Sequence, residues 1–259
     1  MELQNIRLTI CYDGTDYSGW QRQKDKKTIQ GIIEKAIRKV TGETDLKLYG
    51  SGRTDAGVHA LGQVANFKTK SAIPIDRWPI ILNNLLPQDI RIKFAKKVDN
   101  DFHARYDAKS KIYKYYVMNK LTKSQIFNAK DIFLSRYCYY VNDSLDIEKM
   151  KKTSEYLIGN HDFRALSCFN EKKNKLPKDR VRNIKNITIV KKGKLVSFTI
   201  EADAFLYKMA RIIVGTLIDF SRNKREPEEI REILKNRDSQ KSGKVVPASG
   251  LYLVKVKYK

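Results

Sequence analysis

The stretch Gly50-Ser51-Gly52-Arg53-Thr54-Asp55-Ala56-Gly57-Val58-His59-Ala60 decides the reading of this chain. Three glycines within eight positions let a backbone approach a neighbour closely or adopt positive φ. Between them stand one arginine and one aspartate, two positions apart. An arginine beside a carboxylate favours its ionised form, and an ionised carboxylate on a tight loop can act as a nucleophile. On spacing alone the plainer reading comes first: an ion pair bracing a turn. The Walker type of phosphate loop does not fit, because no Gly-Lys-Ser/Thr follows the glycines.

Outward from this loop, the flanks read as alternating strands and helices. Toward the N-terminus, Ile6, Leu8, Ile10 and Tyr12 share one face of a strand. Residues 13–19 are turn-like in composition. Ile29, Ile32, Ile33, Ala36, Ile37 and Val40 recur at helical spacing, with Thr28 as N-cap and Gly42 as the stop. Leu46 to Tyr49 and Gln63 to Phe67 are strand candidates on either side of the loop. A helix around Pro79 to Leu85 ends before Pro87, and a strand covers Ile90 to Ala95. The second half predicts strands over Ile112 to Met118 and Leu251 to Tyr258, with a helix over Ile147 to Leu157. It also predicts a hairpin, Ile184 to Val190 with Leu195 to Ala202, turning at Lys192-Gly193. An apolar helix spans Phe205 to Phe220, and Pro227 suits the first turn of a last helix. The lysine-rich stretch Glu171 to Lys178 reads as an exposed loop. Strands and helices mix in both halves without strict βαβα alternation. The expected class is α+β with antiparallel sheets, in two similar lobes over residues 1–104 and 105–259.

Composition limits the function classes. At 259 residues the chain can bury a sizeable core. With 41% hydrophobic and 31% charged residues it reads as a folded soluble protein. Lysine and arginine total 52 against 29 acidic residues, a net charge of +23 that points to a polyanionic partner. The lysines are scattered along the whole chain, so a lysine-rich proteome explains part of the excess, and charge alone does not establish an RNA partner. Cys11, Cys138 and Cys168 are odd in number and lack C-x-x-C spacing, which fits a reducing compartment. His59, His103 and His161 stand apart from one another and from the cysteines, so no metal-ligand cluster is visible. No apolar run reaches transmembrane length and no signal-peptide core opens the chain. A cytoplasmic location is expected.

Gly52 to Ala60 resembles the active-site signature of the TruA family of tRNA pseudouridine synthases. Further segments resemble other motifs of that family, in the same order. They are Tyr12-Asp13-Gly14-Thr15 with Gly19-Trp20-Gln21, and Phe102-His103-Ala104-Arg105 followed by Tyr113-Lys114-Tyr115. Then come His161-Asp162-Phe163, Phe205-Leu206-Tyr207-Lys208-Met209 with Arg211 and Gly215, and Gly250-Leu251-Tyr252-Leu253. Several ordered motifs are far more specific than one. Ala210 departs slightly, standing where many relatives carry valine.

The resemblance implies an isomerase that converts uridine to pseudouridine in the anticodon arm of tRNA, at tRNA positions 38, 39 and/or 40. Asp55 would be the nucleophile. Tyr113 would pack against the flipped uracil and assist proton transfer. Arg211 would pair with Asp55 from the other lobe. Arg53 would contact RNA and help hold the base out of its stack, and Gly52 and His59 would line the RNA side. Core packing is the default reading for Tyr113, which lies in an aromatic strand. An arginine in an apolar helix, such as Arg211, is usually paired. The two antiparallel sheets are expected to join into one extended sheet, with helices on one side and a basic active-site cleft between the lobes. No metal and no cofactor are implied, and a homodimer is. Two other classes compete: a non-catalytic RNA-binding protein that uses charge and aromatics, and a phosphate-binding enzyme that uses Gly50 to Gly57 as an anion cradle. The first would not require the Arg53/Asp55 pair, and the second predicts nucleotide binding and a metal requirement.

Overall fold

The computed structural model describes residues 2–119, 129–168 and 180–259. Among the described residues are ten strands and six α-helices. They form two compact units, Met1–Lys109 with Tyr252–Lys259, and Ser110–Leu251. The stretch Glu171 to Lys178 lies outside the described residues.

The first unit runs β1 (Gln4–Tyr12), α1 (Ile29–Thr41), β2 (Tyr49–Gly50), β3 (His59–Thr69), α2 (Arg77–Leu85) and β4 (Ile90–Val98), and takes back the last strand, β10 (Leu251–Lys257). Its sheet order is β4-β1-β3-β10, with β2 paired to β3. The alternating face of β1 is the core face: Ile6, Leu8 and Ile10 are wholly buried and Tyr12 nearly so. Both ladders of β1 shift register near its end, between Thr9 and Ile10 against β4 and between Ile10 and Tyr12 against β3. Such bulges twist a strand end and re-aim its side chains, here that of Tyr12. Helix α1 begins where Thr28 caps it, the hydroxyl accepting from Gly31 N, and ends at Gly42 in the left-handed region. Its buried stripe, Ile29, Ile33, Ala36 and Ile37, covers the core together with Trp78 and Leu82 of α2.

The expected strand at Leu46 to Tyr49 joins the sheet only at Tyr49. The residues before it spend their backbone groups on α1 instead. Leu48 N donates to the buried Glu34 carboxylate, Gln30 Nε2 donates to Leu48 O, and Arg38 Nη2 donates to Leu46 O.

The second unit contains β5 (Ser110–Asn119), α3 (Ala129–Leu134), β6 (Tyr139–Val141), α4 (Ile147–Glu155), β7 (Gly159–Asp162), β8 (Val181–Lys192), β9 (Leu195–Ala202), α5 (Met209–Arg222) and α6 (Glu229–Asn236). Sheet order is β5-β9-β8-β7, with β6 beside β5. The β8–β9 hairpin turns through Gly193, as expected. Helix α5 starts four residues later than its apolar pattern suggests. Lys208 sits at φ 59 in the left-handed region, and Asp203 accepts from Asn183 N and Ala204 N, holding the approach as a turn. Strands β6 and β7 and helix α3 are too short to carry a periodic signal.

Both units are mixtures of strand and helix, with sheets that are largely antiparallel. Two ladders depart from the antiparallel expectation: β10 runs parallel to β3, and β6 parallel to β5. Parallel neighbours need a long crossover. The whole second unit separates β3 from β10 in sequence, and residues 120–138 separate β5 from β6. Among the described residues no helix is long and apolar enough to cross a membrane.

Candidate active site

The loop carrying Asp55 leaves β2, turns, and re-enters the sheet as β3. It is clamped at both ends. At the first end, Ser51 N donates to Val64 O and Ser51 Oγ to Gln63 Oε1, while Gln63 Nε2 donates to Gly52 O. The half-buried Gly52 therefore contributes its carbonyl to the scaffold. Thr54 is buried. Its hydroxyl meets Tyr12 Oη at 2.8 Å, and its carbonyl accepts from Trp20 N at 3.1 Å. Asp55 O accepts from Val58 N at 3.2 Å, closing the turn. The side chain of Asp55 is half-buried and that of Arg53 exposed. No ion pair joins Arg53 to Asp55 among the described residues. The ion-pair reading of their spacing gives way, because the turn sends the two side chains to different environments.

The second clamp is His59, expected on the RNA side and found instead inside, 2% exposed. Its ring stacks on Tyr252 of β10 at 4.7 Å. Gly14 N–H lies 3.2 Å from Nδ1, and Asp13 Oδ1 lies 3.1 Å from the same nitrogen. One nitrogen serves one partner at a time: protonated, it donates to Asp13, and bare, it accepts from Gly14. Asp13 also accepts from Thr15 N and Thr15 Oγ1. A buried imidazole in this setting braces the loop from inside. Asp13, Trp20, Tyr12 and Tyr252 are the residues that sequence reasoning left without a role. Their signals in the sequence were the place of Tyr12 at the end of the buried alternation and the position of all four in segments that resemble family motifs.

Burial pushes the Tyr12 phenol up to about 12, against the lowering effect of its hydrogen bond to Thr54. It stays neutral and able to bond Thr54 across the working range. Burial likewise raises Tyr17, Tyr115 and Tyr258. The folded state thus holds these protons more tightly than the unfolded chain, whose tyrosines titrate near 10. The stabilising share of Tyr12 is complete below about pH 10 and is lost as pH rises from there through about 12, while the other three hold theirs to higher pH. Chemical denaturation from about pH 9 to 12 should show stability falling across this window, and Tyr12→Phe should flatten part of the slope.

Tyr113 and Arg211 belong to the second unit. Tyr113 lies on β5 opposite Ile200 of β9, is 8% exposed, and meets the Phe205 ring edge-on at 4.8 Å. Arg211 sits in the first turn of α5, half-buried, and donates from Nε to Val246 O at 2.7 Å. The neighbouring segment packs closely: Tyr115 Oη donates to Pro247 O, and Gly243 N donates to Thr216 Oγ1. The Arg211 Nε–Val246 O bond spends one guanidinium donor and orients the rest of the group. Among the described residues no cluster of three His, Cys, Asp or Glu side chains has metal-binding geometry.

A family model described as tRNA pseudouridine synthase matches residues 9–107 and 154–259. The chain belongs to the tRNA pseudouridine synthase family. The matched residues include Asp13, Asp55, His59 and Arg211, while Tyr113 falls between the two stretches. Full-length relatives span that gap. The chain is 46% identical over 256 residues to tRNA pseudouridine synthase A of Caldicellulosiruptor bescii, covering 99% of this chain and 100% of the relative. It is 45% identical to the tRNA pseudouridine synthase A of Acetivibrio thermocellus over the same shares. To tRNA pseudouridine synthase A 2 of Clostridium tetani it is 47% identical, covering 98% and 99%. In this pseudouridine synthase family member, the clamped loop lies within the first matched stretch.

Proposed function

We propose that this chain isomerises uridine to pseudouridine in the anticodon stem-loop of tRNA, with Asp55 attacking a flipped-out base or its ribose. The observation that carries this reading is the Asp55 loop. Its backbone is bonded on both sides, by Thr54 to Trp20 and Tyr12 and by His59 to the Asp13-Gly14 turn, while the carboxylate-bearing side chain keeps access to solvent. Holding a reacting group in place supplies much of a barrier reduction.

The reaction breaks the uracil N1–C1′ bond, turns the ring, and forms C5–C1′. The C5 proton leaves and N1 takes up a proton, so atoms and electrons balance without an added reagent. One carboxylate can attack ring C6 or ribose C1′. Tyr113 packs against the uracil and assists the proton transfer. Arg211, its Nε held by Val246 O, approaches Asp55 with its remaining donors and pairs with the carboxylate. Arg53 stands in the place of the flipped base, and Gly52 leaves room for the RNA backbone. Unstacking a base costs a few kcal/mol, which basic contacts to phosphate offset. The proposed architecture is two lobes, 1–104 and 105–259, whose sheets continue into one another with helices on one side and a basic cleft between them. The active form is a cytoplasmic homodimer with the RNA lying across both subunits.

Purified protein incubated with unmodified tRNA and EDTA should form pseudouridine, because the reaction draws on no external group. Absence of product under these conditions removes the reading. Affinity for tRNA should fall about 10³-fold or more between roughly 50 and 200 mM salt if six or more phosphates are contacted. Salt-independent binding would detach the +23 charge from RNA recognition.

A further inference from the structure

An exposed aromatic array lies in the first unit, where Tyr49 of β2 meets residues 103–106. The Tyr49 ring meets His103 at 5.0 Å, tilted by 47°. His103 in turn meets Tyr106 at 4.4 Å, tilted by 36°. Arg105 holds its guanidinium 5.7 Å from the Tyr106 ring centroid. Tyr106 is 73% exposed and Tyr49 43%, so neither ring belongs to the core.

The loop that presents these rings is tightly built. Asn5 and Asn66, both buried, reach it from β1 and β3. Asn5 Nδ2 donates to Asp99 O and Phe102 O, Asn66 Nδ2 donates to Phe102 O, and Asn66 Oδ1 accepts from Ala104 N. Tyr258 Oη donates to Ala104 O. Asp107 closes the turn, accepting from His103 N and donating its own N–H to His103 O. Arg105 N donates to His103 Nδ1, which fixes the imidazole plane. Two buried asparagines in a sheet core are costly unless fully bonded. Here their bonds go to a loop whose most prominent side chain, Tyr106, makes no hydrogen bond among the described residues. Core stability does not account for Tyr106.

We propose that Tyr106, backed by His103 and Tyr49, is a platform on which unpaired nucleobases of the tRNA stack, with Arg105 engaging the adjacent phosphate. This rests on tRNA being the substrate. Exposed rings interleaved with a cation are the chemistry that takes unpaired bases. The excess of positive charge on the chain favours a polyanion over an apolar protein surface. A rigid loop loses little further entropy when a base lands on it, so the contact goes to affinity.

The test compares wild type, Tyr106→Ala, Tyr106→Phe and Arg105→Ala on one unmodified tRNA transcript and on a fully paired RNA duplex, across a salt series. Tyr106→Ala should weaken tRNA binding about ten-fold, the scale of one lost base–aromatic stack. It should leave the salt slope, the duplex affinity and the thermal midpoint unchanged. Tyr106→Phe should bind as wild type, and Arg105→Ala should lower the salt slope by about one contact. The platform is overturned by Tyr106→Ala binding tRNA normally, by tRNA and duplex weakening alike, or by Tyr106→Phe losing as much as Tyr106→Ala. Failure of wild type to bind tRNA overturns it too. Pseudouridine formation measured on the same transcript separates the two readings. Normal turnover with a silent Tyr106→Ala removes the platform alone. No turnover, with binding that depends on the Tyr106 ring, removes the catalytic reading alone.

Discussion

Asp55→Asn should abolish pseudouridine formation, lowering single-turnover rate by roughly 10⁴-fold or more, while tRNA affinity stays within about two-fold of wild type. Two separate physical roles lead to this result. Affinity comes from many lysine and arginine contacts to phosphate, spread over the surface. One carboxylate adds little to that sum, and its charge repels RNA. Asparagine nearly preserves the shape of the side chain, and bonds made by Thr54, Gly52 and the Asp55 carbonyl hold the loop around it in either case. It removes only the nucleophilic anion. A structural Asp55 would behave differently: the variant would lose stability yet turn over in the molecules that fold. Binding and single-turnover product are therefore measured on one folded preparation, and appreciable turnover ends the nucleophile assignment. The same pair of measurements assigns the partners. Arg211→Gln should lower turnover far more than affinity if its guanidinium serves Asp55. If Arg211 only holds Val246 O, thermal stability should fall instead.

Gly19→Ala should cost about 2–4 kcal/mol of stability and reduce turnover of the remaining folded protein about 10²-fold. Gly19 sits at φ +87, which L side chains rarely adopt. A Cβ there would stand 2.6 Å from Thr54 O and 3.1 Å from the carbonyl carbon of Asp55. These are backbone atoms, so no side chain can swing aside. Relief requires moving the Asp55 loop, and displacing a reacting group by about 1 Å is worth about two orders of magnitude in rate. Gly14→Ala acts on the opposite clamp, with its Cβ 2.0 Å from Val58 O. Urea denaturation with turnover assayed on the same samples reads both effects. A Gly19→Ala protein of wild-type stability and rate would show that the loop yields, and that the clamp is not what positions Asp55.

Much of this molecule was legible from its residues. The β1 face, the α1 stripe with Thr28 and Gly42 at its ends, and the β8–β9 hairpin all follow local rules of periodicity, capping and turn chemistry. The candidate site was legible as a motif: Gly52 to Ala60 singled out Asp55 without any structure. Legibility failed where a distant partner overrides the local pattern. The Leu46 to Leu48 stretch reads as strand, yet Glu34, Gln30 and Arg38 capture its backbone. Phe205 to Lys208 continues the apolar pattern of α5, yet Asp203 holds it as a turn and Phe205 packs on Tyr113.

His59 shows the division most clearly. By itself the sequence determined that a histidine follows Asp55 by four residues in a glycine-rich signature, and that a pseudouridine-forming carboxylate is the chemistry to expect there. Whether that histidine faces RNA or the interior depends on residues far along the chain. Tyr252 arrives in a parallel strand at the C-terminus, and Asp13 and Gly14 arrive from the turn after β1. Burial and hydrogen-bond satisfaction are properties of atoms brought together in space, and no periodicity records them. Only the tertiary structure decided that His59, Trp20 and Tyr12 hold the loop and that Asp55 and Arg53 take different environments on it.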